Sequence, residues 1–514
     1  MFLAMSVDRT EVGGKMTVKQ SRQFGLSKSR IAAFEQCPRR LWLQTHRKDL
    51  AVLDEGTQAR FQTGNLVGEV ACSLVPNGIM VESEPNLQAA IQVTSELVAN
   101  GEYPIFEGTF SHDGVLVRVD VMEPDKQGAW HVAEVKSSTS TKEYHVSDLA
   151  TQIWVMEQCG VPIASAIVRH IDSSFTLENV GEYSGLFADA DQSGPIRSIV
   201  ATRQTVVEEA RDMMAGDEPY RATGAHCNSP FACEFSHWCR RDDLPGPEWP
   251  ISELPRSGAK VAEKWAVHGI ADLRELPANA GLSPLHEKIR RAVVTNTPFL
   301  DRSGVLKDTQ DWSFPRIWID FETITFAVPR WVGTRPYEQI PFQFSAHVEQ
   351  EDGRIEHVEC LDLSGNDPRP AIASALARLP SYGVAIAWNA GFERGCFRSL
   401  ANAVPAHADA LRSLEARTVD LLPVARNHYY HPNQRGSWSI KKVLPTIAPE
   451  LDYSTLDVQD GGNAQQAYLE AVSITANEPR KQAIDVALKA YCGRDTWAMI
   501  AVYRRLIGLP MPSA

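Results

Sequence analysis

The sequence predicts an α/β protein with two sheets. Segments in which apolar and polar residues alternate, each bounded by turn residues, form one group between residues 105 and 171 and another between residues 317 and 388. Segments with helical spacing of apolar residues precede, separate and follow these groups. The chain has 514 residues, of which 43% are hydrophobic and 22% charged, so it is long enough for two or three globular domains.

Four successive regions are expected along the chain. Residues 1–24 are polar and lack periodicity, which predicts a flexible N-terminal tail. Residues 25–241 contain the first group of strands, and residues 242–313 are rich in Pro and short helical pieces, which predicts a helical connector. Residues 314–514 contain the second group, followed by helices. No internal repeat is visible, so the two sheets are expected to belong to different folds.

In the first region, a helical pattern begins after a serine cap candidate near Leu26 and is interrupted at Cys37 and Pro38. The elements expected next are a helix at 61–74, strands at 105–110, 115–122 and 130–135, a helix that carries Gln152, a strand at 164–171 and a helix at 198–214. The helical pieces of the connector are expected at 261–265, 270–276 and 286–294, and the later strands at 317–321, 342–347, 355–362 and 385–388.

Acidic residues occur on two neighbouring strands of the first group. Asp120 ends one strand, and Glu134 and Lys136 are two apart on the next, so their side chains point to one face. Two carboxylates and a lysine fit metal-dependent phosphodiester hydrolysis, in which the acids hold Mg²⁺ or Mn²⁺ and the ammonium orients or activates the attacking water. An ordinary salt bridge on a surface hairpin is the alternative.

Nine cysteines in a large, apparently intracellular chain argue against a disulfide framework. Cys227, Cys233 and Cys239 are six residues apart, and Cys37 is the expected fourth member of a set that can hold a [4Fe-4S] cluster or Zn²⁺. His226 and His237 are the alternative ligands that would make it a zinc site. The other five cysteines are expected to be small core residues. A basic rim suited to a polyanion surrounds the set, with solvated surface charge as the alternative: Lys28, Arg30, Arg39, Arg40, Arg47, Lys48, Arg240 and Arg241.

Residues 25–241 resemble a RecB-like nuclease core of the PD-(D/E)XK type. The cysteines resemble those of the AddB and CRISPR-associated iron–sulfur nucleases, in which one cysteine before the core and three after it clamp its ends. The resemblance implies that Gln152 positions a phosphate or a water and that Glu69 is an additional metal ligand. It also favours a [4Fe-4S] cluster over zinc.

Asp320 and Glu322 lie on an apolar strand and point to one face. A buried pair of like charges is costly unless a cation lies between them, and a divalent ion such as Mg²⁺ prefers carboxylate oxygens. Far downstream, Tyr491 and Asp495 are four apart in a helical pattern and therefore share a face.

Asp320 with Glu322, residues 388–393 and residues 491–495 resemble, in order, the three motifs of a DnaQ-like, RNase H-type 3′–5′ exonuclease with DEDD chemistry. The resemblance implies that Asp320, Glu322, Glu393 and Asp495 hold two metal ions while Tyr491 orients the attacking water. The family has Asp where this chain has Glu393, so Asp420 is a second candidate for the fourth acid, and both a modified and a degenerate site stay open.

The whole chain resembles a bacterial family that joins an iron–sulfur RecB-type nuclease to an RNase H-like exonuclease. This implies a cytoplasmic, metal-dependent nuclease that trims single-stranded DNA ends in repair or in defence against foreign DNA. An RNA-trimming exonuclease and a nucleic-acid-binding scaffold are the alternatives. The net charge of -13 restricts nucleic-acid contact to local patches or metal ions. No apolar run approaches the roughly 20 residues of a membrane helix, so no membrane partner is expected.

Overall fold

The computed structural model describes residues 25–52, 55–84, 86–241, 243 and 245–510. The tail predicted at residues 1–24 lies outside the described residues. Within them the chain is a mixed α/β structure with two main sheets, as the sequence predicts. None of the helices described here has the length and apolar character that crossing a bilayer requires.

The upstream sheet has seven strands in the order β2-β3-β4-β5-β6-β7, with β1 paired to β4. The strands are β1 (Leu26–Ser27), β2 (Ile79–Met80), β3 (Ile105–His112), β4 (Val115–Pro124), β5 (Trp130–Lys136), β6 (Ile163–Ile171) and β7 (Phe187–Asp191). The helices around it are α1 (Lys28–Gln36), α2 (Pro38–His46), α3 (Glu55–Ser73), α4 (Leu87–Asn100), α5 (Glu143–Gln158), α6 (Arg197–Val200), α7 (Arg203–Ala215) and α8 (Ser236–Arg240).

The first helix begins near the predicted serine cap, and the break between the first two helices lies at Cys37 and Pro38, as the sequence predicts. The Ser27 side chain accepts a hydrogen bond from the Arg30 amide and caps α1. Cys37 has extended backbone dihedrals and Pro38 occupies the first turn of α2, so the chain turns sharply at this point. Cys37 is therefore held at the corner between two helices. The single helix predicted at 198–214 is instead two helices, α6 and α7.

The connector contains three helices and one short strand: α9 (Gly258–Ala266), α10 (Pro284–Thr295), β8 (Phe299–Leu300) and α11 (Arg302–Asp308). Its buried residues, among them Leu254, Leu273 and Ile289, belong to the same apolar core as Trp318 and Tyr430 of the downstream half. The connector thus packs as part of the downstream half.

The downstream sheet has five strands in the order β11-β10-β9-β12-β13. The strands are β9 (Arg316–Ile324), β10 (Ile340–Glu349), β11 (Ile355–Leu361), β12 (Val384–Ala387) and β13 (Thr418–Asp420), while β14 (Tyr429–Tyr430) pairs with β8. β10 runs antiparallel to β9 and β11, and β9, β12 and β13 are parallel. The helices are α12 (Arg369–Leu376), α13 (Gly391–Ala403), α14 (Ala408–Ala416), α15 (Leu421–His428), α16 (Ile440–Val443), α17 (Gly461–Ala471) and α18 (Glu478–Ile507), and α18 packs on β9 and β10.

The two halves meet at the bridge segment, residues 325–339, which connects β9 to β10. Val328 of this segment packs in one apolar cluster with Val67 and Ile171 of the upstream half. The Tyr337 hydroxyl donates a hydrogen bond to the carbonyl oxygen of Ser137, which directly follows β5. The bridge segment therefore contacts the upstream half next to the strand that carries Glu134.

Candidate metal centres

Glu134 is the centre of the upstream polar cluster and is only 1% exposed. The Lys28 ammonium donates hydrogen bonds to both of its oxygens, at 2.7 and 2.9 Å. Lys136 Nζ lies 2.7 Å from Glu134 Oε1, and Gln152 Nε2 donates to Oε2 at 2.6 Å. The structure thus brings together Glu134, Lys136 and Gln152, which the sequence singled out, and adds Lys28, which was expected in the basic rim.

The positive charges of two neighbouring lysines explain why the Glu134 carboxylate can be buried. Burial alone would raise the pKa of Glu134, but the positive charges of Lys28 and Lys136 outweigh it and hold that pKa well below its ordinary value. Lys136 Nζ also lies 2.9 Å from Asp148 Oδ2. Asp148 lies on α5, the helix that carries Gln152, and no sequence pattern singled it out.

Asp120 lies beside this cluster on β4. Its Oδ2 accepts a hydrogen bond of 2.7 Å from the Val135 amide. Burial and the negative charge of Glu134 raise the pKa of Asp120 to about 7, although the Lys28 charge acts in the opposite direction. The repulsion between Asp120 and Glu134 favours a proton on Asp120. A divalent ion at this point would take the place of that proton, so Asp120 and Glu134 could both be ligands.

Glu69 lies on α3, which packs on β4 and β5. Its side chain is exposed and forms no hydrogen bond or ion pair with Asp120 or Glu134, since the buried face of α3 is the one that carries Val67 and Val70. Glu107 on β3 is the additional acid near the site, because its charge contributes to the raised pKa of Asp120. Glu107 has a φ of 54°, an irregularity in the strand that no sequence pattern indicated.

The four predicted cysteines line one cavity between α1, α2 and α8. Cys37 and Cys227 are each 8% exposed. Burial raises the pKa of Cys233 to about 11, and the charge of Cys37 adds to it. Burial also raises the pKa of Cys239, with contributions from Cys37 and Cys227. The set that the sequence predicted therefore converges in space, although its members lie up to two hundred residues apart in the chain.

The spacing of these sulfur atoms bears on what they could hold. Four thiolates around one tetrahedral zinc ion lie about 3.8 Å apart, because each Zn–S bond is about 2.3 Å long. Among the described residues, no three of the four cysteines have sulfur atoms within 4.8 Å of one another. His226, a candidate zinc ligand, lies 3.6 Å from the Cys227 sulfur.

Several cations of the predicted basic rim are neutralised in the structure. Arg39 pairs with Glu218 at 2.7 Å, and Arg40 pairs with Glu234 at 2.9 Å. Arg241 stacks over the Trp238 ring with 3.0 Å between its guanidinium carbon and the ring centre. The rim therefore has less free positive charge than the sequence suggests.

The downstream acids converge from three elements. Asp320 and Glu322 lie on β9, Asp495 lies on α18, and Glu393 lies in the first turn of α13. Glu322 is 7%, Glu393 2% and Asp495 8% exposed. Lys441 is the cation whose charge acts on both Glu322 and Asp495. The cluster is therefore a buried concentration of negative charge.

The raised pKa values of these carboxyl groups reflect their mutual repulsion. Burial and the charges of Asp495, Glu322 and Glu393 raise the pKa of Asp320 well above its ordinary value. Burial and the charge of Asp495 raise the pKa of Glu322 to about 8. Burial raises the pKa of Asp495 to about 6, although the Tyr453 hydroxyl and the Lys441 charge act against it. Bound cations would remove this repulsion.

Glu393 is the most informative member of the cluster. Burial and the charge of Asp420 raise its pKa to about 8. Its Oε2 is buried without a hydrogen-bond partner among the described residues. Burying a carboxylate oxygen without a partner costs free energy of folding. A cation beside Asp320 and Glu393 that accepts the lone pair of this oxygen would therefore stabilise the fold. Glu393 thus has the environment of a ligand, although one methylene longer than the aspartate of the motif.

Asp420, the second candidate for the fourth acid, has a structural role at the start of α15. Its Oδ1 accepts hydrogen bonds of 3.0 Å from the amides of Leu422 and Asn389. The first bond caps α15, and the second holds Asn389, whose φ is 75°, in a left-handed conformation. Asp420 therefore fixes the turn that leads into the helix of Glu393.

Tyr491 and Asp495 share a face of α18, as predicted. The structure adds two partners that the sequence reasoning missed. The Tyr453 hydroxyl donates a hydrogen bond to Asp495 Oδ1, and Lys441 Nζ donates to the Tyr491 hydroxyl oxygen at 3.0 Å. No periodicity or paired spacing marks Tyr453 or Lys441 in the sequence.

Comparison with known proteins gives one match. A family model described as "Domain of unknown function (DUF2779)" matches residues 317–439. This span begins at β9 and includes Asp320, Glu322 and Glu393, while Asp495 lies beyond it. No curated protein and no solved structure matches the chain.

Proposed function

We propose that this chain is a metal-dependent nuclease with two centres that hydrolyses phosphodiester bonds of DNA, acting on single-stranded ends in DNA repair or in defence against foreign DNA. The observation that carries the proposal is the downstream cluster of Asp320, Glu322, Glu393 and Asp495. Glu322, Glu393 and Asp495 are buried and Asp320 is partly buried, and the carboxyl groups of this cluster repel one another. Glu393 has a buried oxygen without a hydrogen-bond partner in the described part of the chain. Mg²⁺ or Mn²⁺ bound there would supply a nucleophilic hydroxide and stabilise the leaving oxygen.

The side chains around the acids have supporting roles in this proposal. Tyr491 is the group that orients the attacking water, and Lys441 holds its hydroxyl in place. Tyr453 fixes one oxygen of Asp495, so that the other oxygen faces the cluster.

The topology supports the finer fold assignments. In the downstream sheet only β10 runs opposite to the other strands, and β9 carries the first two acids. This arrangement is compatible with the RNase H-like fold that the motifs resemble. The upstream antiparallel strands β3, β4 and β5, followed by α5 and the parallel strand β6, are compatible with a PD-(D/E)XK core.

In the upstream centre, Asp120 and Glu134 would hold the ion. Gln152 and Lys136 orient the Glu134 carboxylate by direct hydrogen bonds. The Lys28 ammonium neutralises this carboxylate. Without this pairing, the same ammonium would be free to contact a phosphate.

The four cysteines would hold a [4Fe-4S] cluster that ties α1 and α2 to the end of the nuclease core. An anaerobic preparation should show iron and the broad visible absorbance of such a cluster. Replacing Cys233 by Ser should remove both, while Cys159→Ser, which alters an exposed thiol elsewhere, should leave both unchanged. Stoichiometric zinc without iron in the anaerobic preparation would contradict the cluster.

The nuclease proposal is tested with single-stranded DNA labelled at the 5′ or the 3′ end, in Mg²⁺ and in Mn²⁺. Asp320→Asn should remove the activity of one centre and Asp120→Asn that of the other, each by about 10²-fold or more. The matched controls Asp485→Asn on α18 and Glu123→Gln on β4 alter acids outside the two clusters and should cleave like the parent. Binding of DNA without metal-dependent cleavage would overturn the proposal.

A further inference from the structure

We infer that Cys492 is a metal ligand of the downstream centre and that, together with Asp320 and Glu322, it selects a thiophilic divalent ion of the Zn²⁺ or Co²⁺ class. The inference deepens the proposed function, on which it rests for the existence of the centre. A thiolate ligand favours borderline-soft ions, whereas carboxylates alone suit Mg²⁺ and Mn²⁺.

The geometry of three side chains carries this inference. One ligand atom from each of Asp320, Glu322 and Cys492 lies within 4.8 Å of the other two, which no other set of three or more His, Cys, Asp or Glu in the described part of the chain achieves. The Cys492 sulfur lies 4.0 Å from Asp320 Oδ2. An ion with bonds of about 2.3 Å to sulfur and about 2.1 Å to oxygen separates such atoms by about 3–4 Å.

The surroundings point to a ligand as well. Cys492 is fully buried between Tyr491 and the turn of α18 that carries Asp495, so its sulfur has no access to solvent. The partnerless Oε2 of Glu393, a residue only 2% exposed, belongs to the same cluster, since the charge of Glu393 acts on Asp320. A buried oxygen without a donor in the cluster that includes Asp320 is independent support for a cation at this place.

A simpler role for Cys492 is a core thiol that donates weakly to the Asp320 carbonyl oxygen, from which its sulfur lies 3.8 Å. The two roles differ in what happens when metal is added. A ligand loses its proton and forms a bond to the metal, whereas a core thiol remains unchanged.

The test uses the full-length protein isolated anaerobically, so that the four cysteines of the upstream half stay occupied by their cluster. It is stripped of loosely bound divalent ions and titrated with Co²⁺, and the difference spectrum is recorded. A thiolate ligand should give a sulfur-to-cobalt charge-transfer band in the near ultraviolet, at about one equivalent. Cys492→Ser and Cys492→Ala should remove this band and weaken Co²⁺ binding at least about tenfold. Cys396→Ser is the matched control, because Cys396 is a buried thiol near Glu393 and Asp320 but outside the three-residue set, and it should keep the band.

The variant Glu322→Gln tests the shared metal site without altering the sulfur ligand. If Cys492 shares an ion with Glu322, this substitution should also abolish the sulfur band, while circular dichroism shows that the protein is folded. A band that persists in the Cys492 variants or in Glu322→Gln overturns the inference. Parallel assays of DNA cleavage in Mg²⁺, Mn²⁺ and Co²⁺ separate the two proposals. Cleavage without the band overturns only the role of Cys492, and the band without cleavage in any of the three ions overturns only the nuclease.

Discussion

Lys28 and Glu134 form the contact on which the upstream cluster depends. Replacing Lys28 by Met removes two charge-assisted hydrogen bonds from a carboxylate that is 1% exposed and leaves it with Lys136 and Gln152. We expect the free energy of unfolding to fall by about 1–3 kcal/mol. Urea unfolding measures this change. Lys126→Met, in an exposed turn, is the control and should shift it by less than about 0.5 kcal/mol. An equal loss in both variants would contradict the role of the Lys28 contact.

The pH dependence of stability follows from the downstream acids. In metal-free protein the pKa of Glu322 is raised to about 8, so between its ordinary pKa and pH 8 the folded state binds more protons than the unfolded chain. The free energy of unfolding should therefore fall as the pH rises through this window. Thermal unfolding in a chelator at pH 5 and pH 8 measures this fall. Glu322→Gln should flatten the dependence, and a variant as steep as the parent would contradict it.

At the level of residues, the sequence predicts the acids because they come in pairs at strand or helix spacing. Asp320 with Glu322 and Tyr491 with Asp495 are recognisable for this reason. Lys28 and Tyr453 are not, because their partners lie 106 and 42 residues away in the chain. Contacts of this kind depend on the packing of α1 and of the loop before α17, which local periodicity does not specify.

The strand that carries Asp320 depends on a close backbone approach. A Cβ atom on Gly383, whose φ is 79°, would lie 2.1 Å from the carbonyl oxygen of Pro315, just before β9. Gly383→Ala should therefore separate β12 from β9 and destabilise the downstream half by about 3 kcal/mol or more. Gly353→Ala has the same strain, with a φ of 88°, but open space around the Cβ, and should cost only about 1 kcal/mol. Equal losses in urea unfolding would contradict the steric argument.

At the level of elements, alternation and helical spacing predict most strands and helices, and the ends differ by a few residues. The strand predicted at 317–321, for example, extends over Arg316–Ile324. Tertiary packing decides what local patterns leave open. Glu69 lies on a predicted helix whose orientation, set by Val67 and Val70, turns its side chain to solvent. The order of the strands and the attachment of the connector to the downstream core also depend on contacts between distant segments.

At the level of the whole molecule, the bridge segment links the two centres. The Tyr337 amide donates a hydrogen bond to the Phe326 carbonyl, four residues after Glu322, and the Tyr337 hydroxyl bonds to Ser137, one residue after Lys136. The strands that carry the two acidic clusters therefore end at a common junction. The sequence predicts two separate regions, and nothing in its local patterns indicates that they share this contact.

The junction should make the two halves unfold together. Val328 is 4% exposed in the apolar cluster shared with Val67 and Ile171, so Val328→Asp would place a carboxylate there at a cost of several kcal/mol. We expect a single calorimetric transition in the parent to split into two in this variant, because the halves lose their coupling while each keeps its own core. Val332→Asp alters a residue of the same segment that is 52% exposed and should leave one transition. A single transition in Val328→Asp, at a lower temperature than in the parent, would mean that the cluster stabilises the halves without coupling them. Two transitions in Val332→Asp would mean that the coupling lies elsewhere in the bridge segment.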